Sequence, residues 1–238
     1  MYYGGLDDDG TTRIAGAIKR SRRILGLSLH NNIIGDRGAV AVADALKVNS
    51  SLRKLVLGMN RIGSGGAMAI GDMLKVNHSL KMVNLGYNRI GPPGGLALAQ
   101  GLQSNTTLEI LDLSFNDLGE AAGVAIAQAL KLNSTLRELF VAGNGLDVAT
   151  GEAIIETLRN SNHTLIRMQF FCNEPEVHKE IGSLLRRNLL RKRMDRWRGV
   201  CWALVAFSSL LRDVYRPGGR GFKRAEASYD CHARKRRN

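Results

Sequence analysis

Cysteine is scarce in this sequence, which has Cys172, Cys201 and Cys231 among its 238 residues. Their odd number and the absence of a Cys-x-x-Cys pair argue against a disulfide framework, a zinc knuckle and a redox motif. We therefore expect the chain to belong to a reducing compartment.

The sequence also lacks a segment with the features of a secretory signal or a membrane span. Residues 1–9 are rich in Gly and Asp, without the basic start and apolar run of a signal peptide. The longest apolar stretch, 199–211, has 13 residues and includes Ser208 and Ser209. A helix needs about 20 apolar residues to cross a bilayer. These observations predict a cytoplasmic protein.

Acidic residues are scarce in the last quarter of the chain. Residues 1–180 contain 18 Lys or Arg against 17 Asp or Glu, whereas residues 181–238 contain 16 against 4. The net charge of +13 is therefore a property of the C-terminal segment. Residues 1–180 are close to neutral, so their charge does not indicate a nucleic acid as a partner.

A period of 28 residues is the main feature that is present. Ile24, Leu52, Leu80, Leu108 and Leu136 each open a segment of the form Leu-x-x-Leu-x-Leu-x-x-Asn-x-Ile/Leu, and Leu165 opens a sixth after one extra residue. The alternating apolar positions predict a short strand with one buried face. The Ala-rich run that follows, such as 38–46, predicts a helix.

The asparagine column of the repeat needs a structural reason, because a buried amide is costly unless its hydrogen bonds are satisfied. We expect each side chain to bond the backbone of its own turn and of the next unit, which would form a ladder. The predicted ladder consists of Asn32, Asn60, Asn88, Asn116 and Asn144, with Asn173 in the same column of the partial sixth unit.

The segment Leu52-x-x-Leu55-x-Leu57-x-x-Asn60-x-Ile62 resembles the ribonuclease-inhibitor class of leucine-rich repeat, which also occurs in NOD-like receptors and in the Ran GTPase-activating protein. The in-register matches cover about residues 24–173. The resemblance implies an α/β fold, a right-handed solenoid or horseshoe with its parallel β-sheet on the concave face and its helices on the convex face.

The pattern predicts four regions. Residues 1–23 form a partial N-terminal repeat, since Leu6, Gly10, Ile14 and Ile18 precede equivalent residues by 28 positions, and residues 24–176 form the full repeats. Residues 177–214 are interpreted as a C-terminal helical cap, built from one helix over 177–193 and a second amphipathic stretch over 196–214. Residues 215–238 are interpreted as a basic, disordered tail.

Side chains between the buried leucines would point to the concave surface and line up in columns. Their variety suits the recognition of an irregular protein surface, and the aromatic residues are favoured as anchors. A purely structural role, in which the aromatics cover the edge of the stack, stays open. The candidate partner-binding residues are Lys54, Val56, Met59, Met82, Asn84, Tyr87, Asp112, Phe115, Glu138 and Phe140.

No pattern in the sequence points to catalysis, a cofactor or a metal. The five histidines have no ligand spacing, no Gly-x-Ser-x-Gly elbow occurs, and the Gly-rich stretches lack the Lys-Ser/Thr of a phosphate loop. Five Asn-x-Ser/Thr triplets, at Asn49, Asn77, Asn105, Asn133 and Asn162, recur with the repeat. We interpret them as turn and cap residues rather than as glycosylation sites.

The sequence thus predicts a non-enzymatic scaffold that binds a protein partner and takes no small-molecule substrate. One alternative is a protein that contacts RNA or an anionic membrane through its basic tail, and another is a regulator of a GTPase. The basic cluster 234–237 leaves a nuclear location open beside the cytoplasmic one.

Overall fold

The computed structural model describes residues 4–214 of the chain and the side chains of residues 4–195. The predicted disordered tail, 215–238, lies outside the described residues. The chain divides into two units, Met1–Leu190 and Arg191–Asn238. The first unit contains all the strands and helices described below except the second part of the last helix.

Strands and helices alternate along the described chain. The helices are α1 (Asp8–Arg20), α2 (Asp36–Leu46), α3 (Ser64–Val76), α4 (Gly91–Ser104), α5 (Gly119–Leu132), α6 (Val148–Asn160) and α7 (Pro175–Val214). The strands are β1 (Gly26–Ser28), β2 (Lys54–Val56), β3 (Met82–Asn84), β4 (Ile110–Asp112), β5 (Glu138–Phe140) and β6 (Arg167–Gln169). The prediction of repeated strand–helix units is confirmed.

The six strands form one parallel sheet in the order of the chain, from β1 to β6. Each strand pairs with the next at the repeat spacing, so that Leu55 lies beside Val83, and Val83 beside Leu111. A slip of one residue would turn the apolar column towards solvent, which is why the leucine pattern fixes the register. The predicted α/β solenoid is confirmed.

The core lies between the sheet and the helices. Leu55, Leu57 and Leu52 of one unit are fully buried, as are Ile70 and Leu74 of the helix that follows. Burying a side chain of this size contributes about 1.5–3 kcal/mol. Because each unit repeats this set, neighbouring units share one continuous apolar interior.

Small residues let adjacent helices approach closely, most of all between α3 and α4. A Cβ on Gly101 would lie 2.4 Å from the carbonyl oxygen of Gly71, and a Cβ on Gly71 would lie 2.5 Å from that of Ala97. No other side chain fits between the two backbones here. Glycine is therefore required by packing, although it is a poor helix former.

The first unit departs from the repeat pattern at its start. Ile24, which matches the opening leucine of later units, is 37% exposed, whereas Leu52 and Leu80 are fully buried. Ile24 lies in the short segment between α1 and β1, where Ser21 Oγ accepts a hydrogen bond from its N–H. The buried opening column therefore begins at Leu52.

The last helix differs from the expectation of two separate helical stretches. Residues 175–214 form one helix. The sequence has no Pro between Pro175 and Pro217, so no proline interrupts the backbone hydrogen bonds of this helix. Within the described residues, no helix is both long enough and apolar enough to cross a membrane.

Candidate protein-binding surface

The exposed face of the sheet is built from the outer two residues of each strand. The middle residues of β2 to β5 are buried, and the residues on either side of them are half-buried or exposed. Two columns result, and the strand register holds them in line. The first is Gly26, Lys54, Met82, Ile110, Glu138 and Arg167, and the second is Ser28, Val56, Asn84, Asp112, Phe140 and Gln169.

Asn84 and Asp112 form a fixed polar pair at the centre of the second column. Asn84 Nδ2 donates a hydrogen bond of 2.7 Å to Asp112 Oδ2. Asn84 Oδ1 accepts a hydrogen bond from the N–H of Gly86, and Asp112 Oδ1 accepts one from the N–H of Ser114. Both side chains are therefore held in one orientation, with little rotamer freedom left to lose when a partner binds.

A mixed charged and aromatic group lies next to this pair, on β5 and β6. The guanidinium carbon of Arg167 is 5.3 Å from the centre of the Phe140 ring, within cation–π distance. Arg167 Nη1 is also 3.4 Å from Glu138 Oε2. Two predicted binding residues, Glu138 and Phe140, thus share a neighbour that sequence reasoning left out of the site.

A third column, one residue before the asparagines, projects from the loops at the end of the strands. Met59, Tyr87 and Phe115 are 42%, 50% and 45% exposed. The rings of Tyr87 and Phe115 stack with their centroids 4.4 Å apart and their planes 17° apart. The stacked rings form an exposed apolar strip, and a partner protein can contact it without first ordering these side chains.

The backbone of this third column is left-handed. The φ angles are 55° at Met59, 57° at Tyr87 and 56° at Phe115, and Asn31 and Gly143 occupy the same column with φ of 58° and 69°. Large side chains disfavour this region, at a cost of about 1–2 kcal/mol per residue. Glycine or asparagine would fill these positions at a lower cost, so the large side chains point to a role outside the fold.

The asparagine side chains hold the loops that carry this column. Asn60 Nδ2 donates to the carbonyl oxygens of Leu57 and Gly58 in its own turn and to that of Leu29 in the preceding unit, and Asn60 Oδ1 accepts from the N–H of Ile34. Asn88, Asn116 and Asn144 repeat this arrangement. The loops are thereby tied into one rigid edge.

The direction of the ladder differs from the expectation. Each asparagine bonds its own turn and the preceding unit, not the next one. The carbonyl of Leu29, for example, comes just after β1 ends and accepts from the side-chain amides of Asn32 and Asn60.

The two ends of the asparagine column also differ. Asn32 is half-buried, and beyond its own turn it accepts from the N–H of Leu6 and donates to no carbonyl of residues 4–28. Asn173 is exposed, in contrast to the ladder residues. The position two residues after Asn173 is Pro175, where other units have the buried Ile or Leu that anchors the loop.

A second asparagine ladder runs along the opposite edge of the units, where the helices end. Asn77 Nδ2 donates to the carbonyl oxygens of Leu46 and Asn49, and Asn77 Oδ1 accepts from the N–H groups of Ser79 and Leu80. Asn105, Asn133 and Asn162 do the same, each bonding the carbonyl of the previous member. Asn188 of α7 ends the series by donating to Asn162 and Leu165.

Sequence reasoning treated these second asparagines as turn residues and missed the ladder. The sequence feature that could have revealed the second ladder is the same 28-residue spacing that marked the first one. Because their side chains are buried and hydrogen-bonded, the folded chain does not present Asn49, Asn77, Asn105, Asn133 or Asn162 as glycan acceptors.

Sequence comparison identifies the repeat itself. The family described as Leucine Rich repeat matches residues 48–71, 76–99 and 104–127. The chain has a leucine-rich-repeat fold. Its units are of the ribonuclease-inhibitor-like kind, as the motif predicted. No curated protein matches the chain by sequence.

Solved leucine-rich-repeat structures show the same fold. "Leiomodin-1 Actin-Binding Site 2 (ABS2)" superposes with a TM-score of 0.55 at 22% identity, covering 80% of this chain and 96% of that one. The tropomodulin C-terminal domain of Caenorhabditis elegans superposes with a TM-score of 0.54 at 13% identity, covering 81% of this chain and 99% of that one.

The leucine-rich-repeat framework gathers the predicted site residues onto one side of the sheet. Val56, Asn84, Asp112 and Phe140 are consecutive in one register column, and Lys54, Met82 and Glu138 are in another with Ile110 between them. Met59, Tyr87 and Phe115 follow at the ends of β2, β3 and β4. Within the described residues, no three His, Cys, Asp or Glu side chains are grouped so as to hold a metal ion.

Proposed function

We propose that this chain is a non-catalytic scaffold that binds a partner protein on the exposed face of its six-stranded sheet. The observation that carries the proposal is the strip of Met59, Tyr87 and Phe115, whose large side chains stand exposed on left-handed backbone. Glycine or asparagine would fit this backbone at a lower conformational cost. Large aromatic side chains such as Tyr87 often contribute much of the binding energy of a protein interface.

The neighbouring columns supply what an interface requires around such a strip. The Asn84–Asp112 pair offers polar groups of fixed orientation, and Glu138 and Arg167 offer charges at the side. Apolar side chains of Val56, Met82 and Ile110 are half-buried between them. An apolar centre with a polar surround is the usual composition of a protein–protein interface.

Actin is the first partner to test. The solved leiomodin-1 structure is named for an actin-binding site, and its fold covers most of this chain. At 22% identity this likeness supports the choice of actin as a probe and does not indicate which residues bind. The proposed binding residues are those on the sheet face of this chain.

We also propose that the protein works in the cytoplasm. The scarcity of cysteine supports a reducing compartment. The five buried asparagines of the second ladder support a location without N-glycosylation, since a glycan on any of them would prevent its hydrogen bonds and its burial.

The test compares two variants of the full chain in quantitative affinity capture, with purified actin as the first probe and cell extract as the second. Tyr87→Ala/Phe115→Ala removes the strip, and Met68→Ala/Leu132→Ala removes exposed apolar side chains from the helices. We expect the first variant to bind its partner at least about tenfold more weakly than the wild type and the second to bind it as the wild type does. Equal capture by both variants would overturn the proposal.

A further inference from the structure

A basic groove lies away from the sheet face, at the edge where the helices end and the strands begin. It has a volume of about 1200 Å³ and is open to solvent. Four basic side chains and two exposed apolar ones line it, and none of the lining residues among 4–195 is a carboxylate. These six residues are Lys19, Arg20, Arg22, Leu25, Val48 and Arg53.

The basic side chains of the groove are available to a ligand. Among residues 4–195, none of the ion pairs includes Lys19, Arg20 or Arg22. Arg53 donates to the carbonyl oxygen of Ser79 and so is held in place without being neutralised. Lys19 and Arg20 lie in the last turn of α1, where cations also interact favourably with the helix dipole.

The repeat framework does not require these residues. One repeat later, the positions of Arg20 and Arg22 hold Val48 and Ser50, and two repeats later they hold Val76 and His78. Leu25 is 61% exposed, yet the equivalent positions in the next four units are Arg53, Lys81, Glu109 and Arg137. An exposed leucine thus lines a basic groove at a position where the next four units have a charged residue.

We propose that this groove binds an acidic segment of a partner protein, one in which carboxylates alternate with apolar side chains. Carboxylates pair with Arg20, Arg22, Lys19 and Arg53, and an apolar side chain covers Leu25 and Val48, which are 61% and 62% exposed. Arginine is well suited to this role because its planar group binds a carboxylate through two parallel hydrogen bonds.

The composition of the groove favours an acidic peptide over a nucleic acid. In the part of the chain whose side chains are described, no aromatic residue lines the groove, so bases would have no ring there on which to stack. A sugar–phosphate backbone would also leave Leu25 and Val48 uncovered. An acidic peptide with apolar residues satisfies both the charges and the two exposed side chains.

Fluorescence anisotropy with the full chain tests the proposal, using a labelled synthetic peptide that alternates Glu with Leu. We expect Arg20→Glu/Arg22→Glu to weaken binding at least about tenfold and Leu25→Ser to weaken it about threefold or more. Arg61→Glu/Arg89→Glu, which reverses two exposed charges in loops that lead from strands to helices, serves as the matched control and should bind as the wild type does.

Two further measurements test which ligand binds the groove and which residues it contacts. A peptide with Gln for every Glu should not bind, and a photoreactive Glu–Leu peptide should cross-link within residues 19–25 or 48–53. Cross-links confined to the basic residues after 190 would overturn the proposal. So would single-stranded DNA that binds more tightly than the peptide and is unaffected by Leu25→Ser. Since every replaced side chain is exposed, unchanged thermal melting confirms that the variants fold.

Discussion

Gly143 lies directly against the ring of Phe115: a Cβ on Gly143 would be 2.4 Å from Cδ1 of that ring. Gly143 has a φ of 69° and occupies the same column as Met59, Tyr87 and Phe115, one unit further along. The aromatic strip therefore ends at Phe115, because the next member of the column is Gly143, whose lack of a side chain lets the Phe115 ring pack against its backbone. A side chain at this position would displace the ring from its stack on Tyr87.

This contact makes Gly143→Ala a specific probe of the strip. We expect the variant to lose about 1–3 kcal/mol in the free energy of unfolding from overpacking, beyond the strain of an alanine at positive φ. Gly145→Ala is the control, because Gly145 has a similar φ of 63° but nothing lies within 4 Å of an added Cβ. Denaturant unfolding compares the two, and equal losses would show that the ring contact is unimportant.

The left-handed backbone at Tyr87 predicts an unusual order of stability. Tyr87→Gly should be more stable than Tyr87→Ala by about 1 kcal/mol, because glycine adopts a φ of 57° without strain. At Gln100, an exposed position inside α4, the order should reverse, with alanine the more stable by about 1 kcal/mol. Thermal unfolding of the four variants measures both differences. The same order at both positions would contradict the strain at Tyr87.

The first asparagine ladder predicts a large effect from a change that adds apolar surface. Asn88→Leu would leave the carbonyls of Leu57 and Leu85 and the N–H of Ile62 without the Asn88 side chain as a partner. The two carbonyls keep Asn60 and Asn116 as donors, so the N–H of Ile62 is the group left unsatisfied. A buried unsatisfied group costs about 1–3 kcal/mol, and we expect a loss of this size in the free energy of unfolding. Denaturant unfolding measures it.

The control for this prediction comes from the same column. Asn173 is exposed, so Asn173→Leu should change the free energy of unfolding by less than about 0.5 kcal/mol. An Asn88→Leu variant as stable as Asn173→Leu would show that the ladder does not stabilise the repeats.

The close approach of α3 and α4 predicts that a usually favourable change becomes unfavourable. Gly101→Ala should lower stability by about 1–3 kcal/mol, because the added methyl would meet the carbonyl of Gly71 at 2.4 Å and backbone cannot move aside cheaply. Gly16→Ala in α1 has no atom within 4 Å of its added methyl and should raise stability by about 0.5–1 kcal/mol. Melting temperatures that rise in both variants would contradict the packing argument.

Much of the framework could be read from the sequence because the repeat supplies the same information many times. Leu55, Val83 and Leu111 recur at one spacing, and a parallel register is the arrangement that buries them all. The same logic failed at Ile24, whose identity fits the pattern but whose exposure depends on neighbours that the pattern does not describe.

The details of the site were less accessible. The sequence placed Tyr87 and Phe115 in one column, but nothing in their residue types indicates left-handed backbone, which large side chains normally avoid. The partners of Asn60 and Asn77 were also out of reach, since they depend on which backbone groups are left unpaired where a strand or a helix ends. Arg167 was missed because a lone arginine gives no sign of the ring it will cover.

The most direct test of the proposed function is an NMR titration of the full chain, ¹³C-labelled at its methionine methyl groups, with the partner that the wild type captures. Met82 lies on the sheet face and Met59, 42% exposed, in the exposed strip, whereas Met68 is 50% exposed and lies on helix α3. Binding at the sheet face predicts that the Met59 and Met82 signals shift or broaden while the Met68 signal stays in place. A shift of Met68 with Met59 and Met82 unchanged would place the partner on the helices and contradict the account.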